Sequence, residues 1–225
     1  MAARAWRIRL FVSMIIFRKS GIHFSGSRIS YSYMMNFAVF ETAMGCCGIV
    51  WSERGVVGVQ LAERSEVATR KRLLRRFPAA HEGEPPAQVR RAIDDIVALL
   101  GGERRDLNQV RIDTGGVPEF HRRVYEVARR IPAGATLSYG EVAERLGDRN
   151  LARDVAEALS QNPCPIIVPC HRVLAAGGKP GGFSAPGGVA TKLRLLTIEG
   201  AQPQGRTEAP LLFDQLPLAA ARPRR

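Results

Sequence analysis

Cys170 and His171 stand side by side in the stretch NPCPIIVPCHRVLAAGGKPGG, residues 162–182, behind an apolar run bounded by prolines. A thiol of ordinary pKa, about 8.5, is only slightly ionised at neutral pH, so a nucleophilic cysteine needs a base or positive surroundings. His171 is the adjacent base. Glu199, at the far end of the last helical segment, is a carboxylate that would fix the imidazole tautomer and make its other nitrogen more basic. The residue types leave a second reading open: a packed structural cysteine beside an exposed histidine and a solvated glutamate.

The chain that must position these groups has 225 residues, 45% hydrophobic and 24% charged, enough for a real core. No apolar run reaches the roughly 18–20 residues of a membrane helix. The net charge of +12 permits a polyanionic partner, but six of those charges sit in residues 1–35, which hold no acid, and two in residues 202–225. The remaining excess is mild and does not demonstrate nucleic-acid binding. Cys46, Cys47, Cys164 and Cys170 form no CxxC pair. A disulfide scaffold and a tetrahedral zinc site are therefore not expected, and a reduced intracellular compartment, the cytoplasm, is the simpler location.

Residues 1–35 read as an extension outside the fold, either a targeting segment or sequence upstream of a working start at Met34 or Met35. From Phe37 the runs FAVFET, CGIVWS and GVVGVQL, separated by turn signals, predict a meander of hairpins. SEVATRKRLLRRF and AQVRRAIDDIVALLGG have helical periodicity, and LNQVRID alternates like a further strand. These make a first α/β domain over 36–115. A helical domain follows over 116–201, with Phe120, Val124, Val127 and Ile131 as the apolar stripe of its first helix. Ser138 and Glu141 give a capping-box pattern, and SYGEVAERLG, DRN and LARDVAEALSQN fit a helix-turn-helix. GGVATKLRLLTIEG reads as a closing helix, and 202–225 as a mobile tail.

The motif NPxPxxxPCHRV, the blocks PEFHRRVYEVARRIPAGATLSYGEVA and ARDVAEALSQN before it, and KLRLLTIEG after it occur in this order. In these blocks the chain resembles the O6-alkylguanine-DNA alkyltransferase family from about Phe37 to Ala201. The resemblance implies an α+β fold, with a ribonuclease-H-like first domain and a winged-helix-like second. It implies DNA repair by single-use transfer of an alkyl group from O6-methylguanine, and from O4-methylthymine, to Cys170. In that scheme His171 ionises Cys170 through water, Glu199 orients His171, and Asn162 braces the turn. Tyr139 rotates a phosphate and protonates the departing guanine. Arg153, with the small Ala152 beside it, fills the base stack behind a flipped nucleotide, while Val173, Phe183 and Ser184 line the base pocket. The implied partner is double-stranded DNA read with little sequence specificity, by a monomer, with no metal or cofactor and no membrane.

Physical chemistry agrees with those roles. A base inside a duplex must be extruded before a thiolate reaches it, an arginine recovers stacking in the gap, and the leaving guanine needs a proton donor. Eight arginines against seven acids over residues 117–172 fit modest, positioned phosphate contacts. Where many members carry Tyr-Ser-Gly-Gly the chain has FSAPGG, so Phe183 lacks a hydroxyl and Ala185-Pro186 lengthens and stiffens the loop, which bears on tolerance of bulky adducts. The four-cysteine zinc module of fused adaptive-response members has no counterpart here, so transcriptional autoregulation is not implied. The rival readings are a lesion binder that transfers nothing and a Cys-His-Glu hydrolase. A hydrolase would need an oxyanion hole, for which the sequence carries no specific signature.

Overall fold

In the computed structural model, residues 34–201 are described. The expected tail over 202–225 and the extension over 1–35, apart from Met34 and Met35, lie outside the described residues. Strand β1 (Met35–Thr42) begins two residues before the expected start. It pairs antiparallel with β2 (Gly45–Ser52), which pairs antiparallel with β3 (Gly55–Gln60), as the meander predicts. β2 is buried almost throughout because helices cover both faces of the sheet, so its apolar run has no polar alternation.

Helix α1 (Glu66–Arg76) starts where Ser65 Oγ accepts from the Ala68 N–H, and it sets Leu73 among Phe37, Val50 and Ala80 on one face. A short strand the sequence reading did not anticipate, β4 (Ala80–Glu82), then runs parallel to β1, giving the order β3-β2-β1-β4. Helix α2 (Ala87–Leu100) turns Val89, Ile93, Ile96 and Leu100 into the core that also takes Ile49 and Trp51. The LNQVRID segment is not a strand: only Ile112 forms a bridge, to Val56. Its carbonyls at Leu107, Asn108 and Val110 are instead drawn onto the Arg129 guanidinium, which ends any ladder.

Helix α3 (Glu119–Arg129) buries Val124, Tyr125 and Ala128. The observed stripe is rotated from the expected one, leaving Phe120 and Val127 half-buried and Ile131 beyond the helix. Tyr125 accounts for the rotation, since its hydroxyl donates to the Ala158 carbonyl at 3.0 Å. A two-residue strand β5 (Leu137–Ser138) leads into α4 (Tyr139–Arg145), a 3-10 turn at Arg149–Leu151 and α5 (Ala152–Ser160). After the Cys170–Arg172 turn, β6 (Val173–Leu174) pairs parallel with β5, and α6 (Gly188–Ile198) closes the described fold. The architecture is mixed α+β, and a continuous core joins Ile49, Val59 and Ile96 of the first half to Val124, Val155 and Leu195 of the second. Among the described residues no helix is long and apolar enough to cross a membrane.

Candidate active site

The segment from Asn162 to Arg172 is a tight turn whose backbone groups are satisfied locally. Asn162 Nδ2 donates to the Val168 carbonyl at 2.8 Å, and Asn162 Oδ1 accepts from the Cys164 N–H at 2.9 Å. Ile166 takes a positive φ of 75°, the one such non-glycine among the described residues. A β-branched residue in that region is strained, and here its burial and the surrounding hydrogen bonds hold it. The edge of β3 anchors the turn from outside: the Val59 N–H and Arg76 Nη2 both donate to the Pro163 carbonyl. The sheet of the first half thereby braces the loop that carries the thiol.

Cys170 is 8% exposed and His171 is fully buried. Burial pushes the thiol up, opposed by the Asn162 side chain, the Lys192 ammonium and the N–H groups of Cys170 and His171. Burial lowers His171, opposed by the hydrogen bond and charge of Glu199. Both shifts favour a neutral thiol beside a neutral imidazole at rest. Nε2 of His171 lies 3.0 Å from Glu199 Oε1, and beside an ionised carboxylate that nitrogen carries the proton. Nδ1 is buried with no hydrogen-bond partner among the described residues, which leaves it as the acceptor. Burial raises Glu199, yet hydrogen bonds from His171 and Arg172 outweigh it and bring the carboxyl down to about 2.

Two residues that the sequence reading did not single out complete the constellation. Arg172, 6% exposed, donates to both oxygens of Glu199 and to the Ile131 carbonyl. Lys192 is fully buried, donates to the Val173 carbonyl at 2.6 Å and lies 5.8 Å from the centre of the Tyr139 ring. Burial lowers its pKa to about 8, with Cys170 pulling the other way. Lys192, Leu195, Leu196 and Glu199 share one face of α6 and its cap, at the spacing i, i+3, i+4, i+7. That spacing is the signal by which the sequence marks Lys192 as inward.

A cavity of about 260 Å³ brings together Cys170, Asn162, Phe183 and Ser184, with Gln60, Arg72 and Arg76 from the first half. Tyr139 is not in its lining; the residue is held at the first position of α4 by the Ser138–Glu141 capping box, both hydrogen bonds of which are formed. Val173 is fully buried in β6, paired with Leu137, so the β5–β6 ladder fixes Tyr139 relative to the turn. Arg153 projects from the first turn of α5, exposed, with no hydrogen bond or ion pair to any described residue, and Ala152 before it is half-buried. Cys164 is fully buried and its thiol is pushed up to about 12 by burial, which makes it inert beside Cys170. Among the described residues, Glu41, Cys46 and Glu66 bring three metal-capable atoms within 4.8 Å, but two of these residues are exposed carboxylates and none belongs to this site.

Comparison with known proteins meets this geometry. Residues 119–201 match the family model described as the DNA-binding domain of 6-O-methylguanine DNA methyltransferase. The methylated-DNA–protein-cysteine methyltransferase of Methanothermobacter thermautotrophicus is 37% identical over 159 residues, covering 71% of this chain and 82% of that one. The protein of that name from Mycobacterium bovis is 37% identical over 158 residues, covering 68% and 91%. A crystal structure of the Mycobacterium tuberculosis O6-methylguanine methyltransferase superposes with a TM-score of 0.58 at 30% identity, covering 74% of this chain and 93% of that one. A structure of the M. tuberculosis protein in complex with DNA gives 0.59 at 30% identity, covering 73% and 92%. The chain belongs to the methylated-DNA–protein-cysteine methyltransferase family.

Proposed function

We propose that this chain repairs alkylated DNA by moving the alkyl group from O6 of guanine, and from O4 of thymine, onto Cys170, once per molecule. The observation that carries this reading is Cys170 in a cavity beside a buried histidine whose Nε2 is committed to Glu199 and whose Nδ1 has no partner among the described residues. Nδ1 takes the Cys170 proton through a bridging water, and Glu199 stabilises the imidazolium formed. The thiolate attacks the alkyl carbon: the C–S bond forms as the C–O6 bond breaks, and the electron pair stays on O6. Tyr139 supplies the proton that makes guanine a leaving group. The thioether resists hydrolysis, so the protein is consumed.

Delivery of the base rests on α4 and α5 acting as a helix-turn-helix. Extruding a nucleotide costs a few kcal/mol. Arg153, exposed at the head of α5, fills the vacated stack, and Ala152 allows the helix close approach. Phe183 and Ser184, with the buried Val173, frame the flipped base. We read residues 36–115 as a ribonuclease-H-like support and 116–201 as a winged-helix-like acceptor domain, working as a cytoplasmic monomer with little regard for sequence.

Equimolar protein and duplex carrying O6-methylguanine test the reading. Wild-type protein is expected to clear the methyl group to one equivalent, and Cys170→Ala to clear none. Turnover past one equivalent supports a hydrolase instead, and tight binding without transfer supports a lesion binder; either result overturns the proposal.

A further inference from the structure

We infer that the cavity at Cys170 is built to take O6 substituents that end in a carboxylate. The inference rests on the alkyl-transfer reading and names a substrate class for it. Around the thiol the second half lines the cavity, with Phe183 and Ser184 where the base is placed, and the first half adds Gln60 of β3 and Arg72 and Arg76 of α1. Among the described residues no aspartate or glutamate lines it, so two guanidinium groups share a small cavity with the acceptor.

Arg76 is the more telling of the two. Its Nη1 donates to the Val59 carbonyl and Gln60 Oε1, and its Nη2 to the Pro163 carbonyl. All three partners are neutral, so the side chain is fixed while its charge is not neutralised. A guanidinium has five N–H donors, and the three bonds leave donors free. The residue is exposed overall, yet desolvation by its neighbours and the Arg72 charge lower its pKa, with no aspartate or glutamate opposing them. Arg72 lies near, its charge shared with Glu63 at 3.2 Å. A carboxylate on the lesion would supply the missing counter-charge, and charge-assisted bonds to a planar fork are about twice as strong as neutral ones.

For an O6-carboxymethyl adduct the step balances as for methyl. The thiolate attacks the methylene carbon, the C–S bond forms, the C–O6 bond breaks with its pair left on O6, and Tyr139 protonates the guanine. The products are S-carboxymethylcysteine at position 170 and unmodified guanine.

The test compares single-turnover rates on three duplexes of one sequence, bearing O6-carboxymethyl-, O6-carbamoylmethyl- or O6-methylguanine. The first two differ in charge and scarcely in size, and their phosphates are identical. The change in the ratio of their rates between wild type and variant, which cancels the different intrinsic reactivity of the two methylene carbons, therefore isolates recognition of the adduct. Arg76→Gln is expected to lower the carboxymethyl-to-carbamoylmethyl ratio by about tenfold, and Arg72→Gln to lower it by about threefold. If Arg76→Gln loosens the turn through Pro163, its methyl rate falls with the others, and the ratio in Arg72→Gln then decides. A ratio unchanged in both variants overturns the inference. Wild-type protein that transfers none of the three groups refutes the alkyl-transfer reading itself.

Discussion

Arg172 grips Glu199 on both carboxylate oxygens, through Nε at 2.8 Å and Nη2 at 2.7 Å, so the carboxylate that orients His171 is itself held by the next residue in the chain. The arrangement fixes the ring of His171 and keeps Glu199 ionised in a site where burial alone would neutralise it. It also sets a limit, because the Arg172 charge lowers the basicity of His171.

Removing the arginine therefore has two separable effects. Arg172→Met leaves a buried carboxylate short of its main partner, and the expected loss of stability is about 3–5 kcal/mol by chemical denaturation. In the folded fraction the His171 pKa rises, because a nearby positive charge is gone. Arg172→Lys, which keeps charge but not the fork, should fall between Met and wild type.

Acid sensitivity follows from Glu199. Its folded value is depressed from 4.5 to about 2, so it contributes stability that is complete above about 4.5 and lost as pH falls through about 2. A difference of that size is worth on the order of 3 kcal/mol. Unfolding curves taken between these limits should show the loss in wild type and a flatter profile in Glu199→Gln, which is already less stable at neutral pH.

Lys192 is expected to govern thiol reactivity. Its ammonium lowers the Cys170 pKa, and its own pKa is about 8. Lys192→Met should slow iodoacetamide alkylation of Cys170 by about tenfold at pH 7. The gap should close above pH 8, where the wild-type lysine loses its charge. Cys46 and Cys164 do not confuse the readout, since burial pushes them up to about 11 and about 12.

Asn162 ties the ends of the acceptor turn, so Asn162→Ala strands the Cys164 N–H, while the Val168 carbonyl keeps its bond from the Cys170 N–H at 2.8 Å. The expected cost is about 1–3 kcal/mol for the one buried group left unpaired, read from thermal or chemical unfolding. Alkyl transfer should slow as well, because Asn162 also lowers the thiol.

What is legible in the sequence is local. The helices α1, α2, α4 and α6 follow from apolar spacing, and the Ser138–Glu141 box is formed as written. Cys170, His171 and Glu199 can be named from motif and order, and the hydrogen bond between the last two joins residues 28 apart in sequence. Less legible are features that depend on distant partners. β4 against β1 and β5 against β6 are too short to carry a pattern. The alternation in LNQVRID loses to Arg129, which takes its carbonyls from a helix ~20 residues on. Arg172 escapes sequence reasoning because a buried charge runs against the usual rule and only its partner Glu199 explains it; Lys192 is marked by its helical spacing alone, and the Val173 carbonyl explains why a charge sits there.

The central claim is that Cys170 keeps the alkyl group. Protein incubated with excess duplex bearing isotopically labelled O6-methylguanine, then digested and mapped by mass spectrometry, tests it directly. One labelled methyl per chain is expected, on the Cys170 peptide, with Cys46, Cys47 and Cys164 unlabelled. Label on another residue, or labelled methanol released in place of protein label, would contradict it.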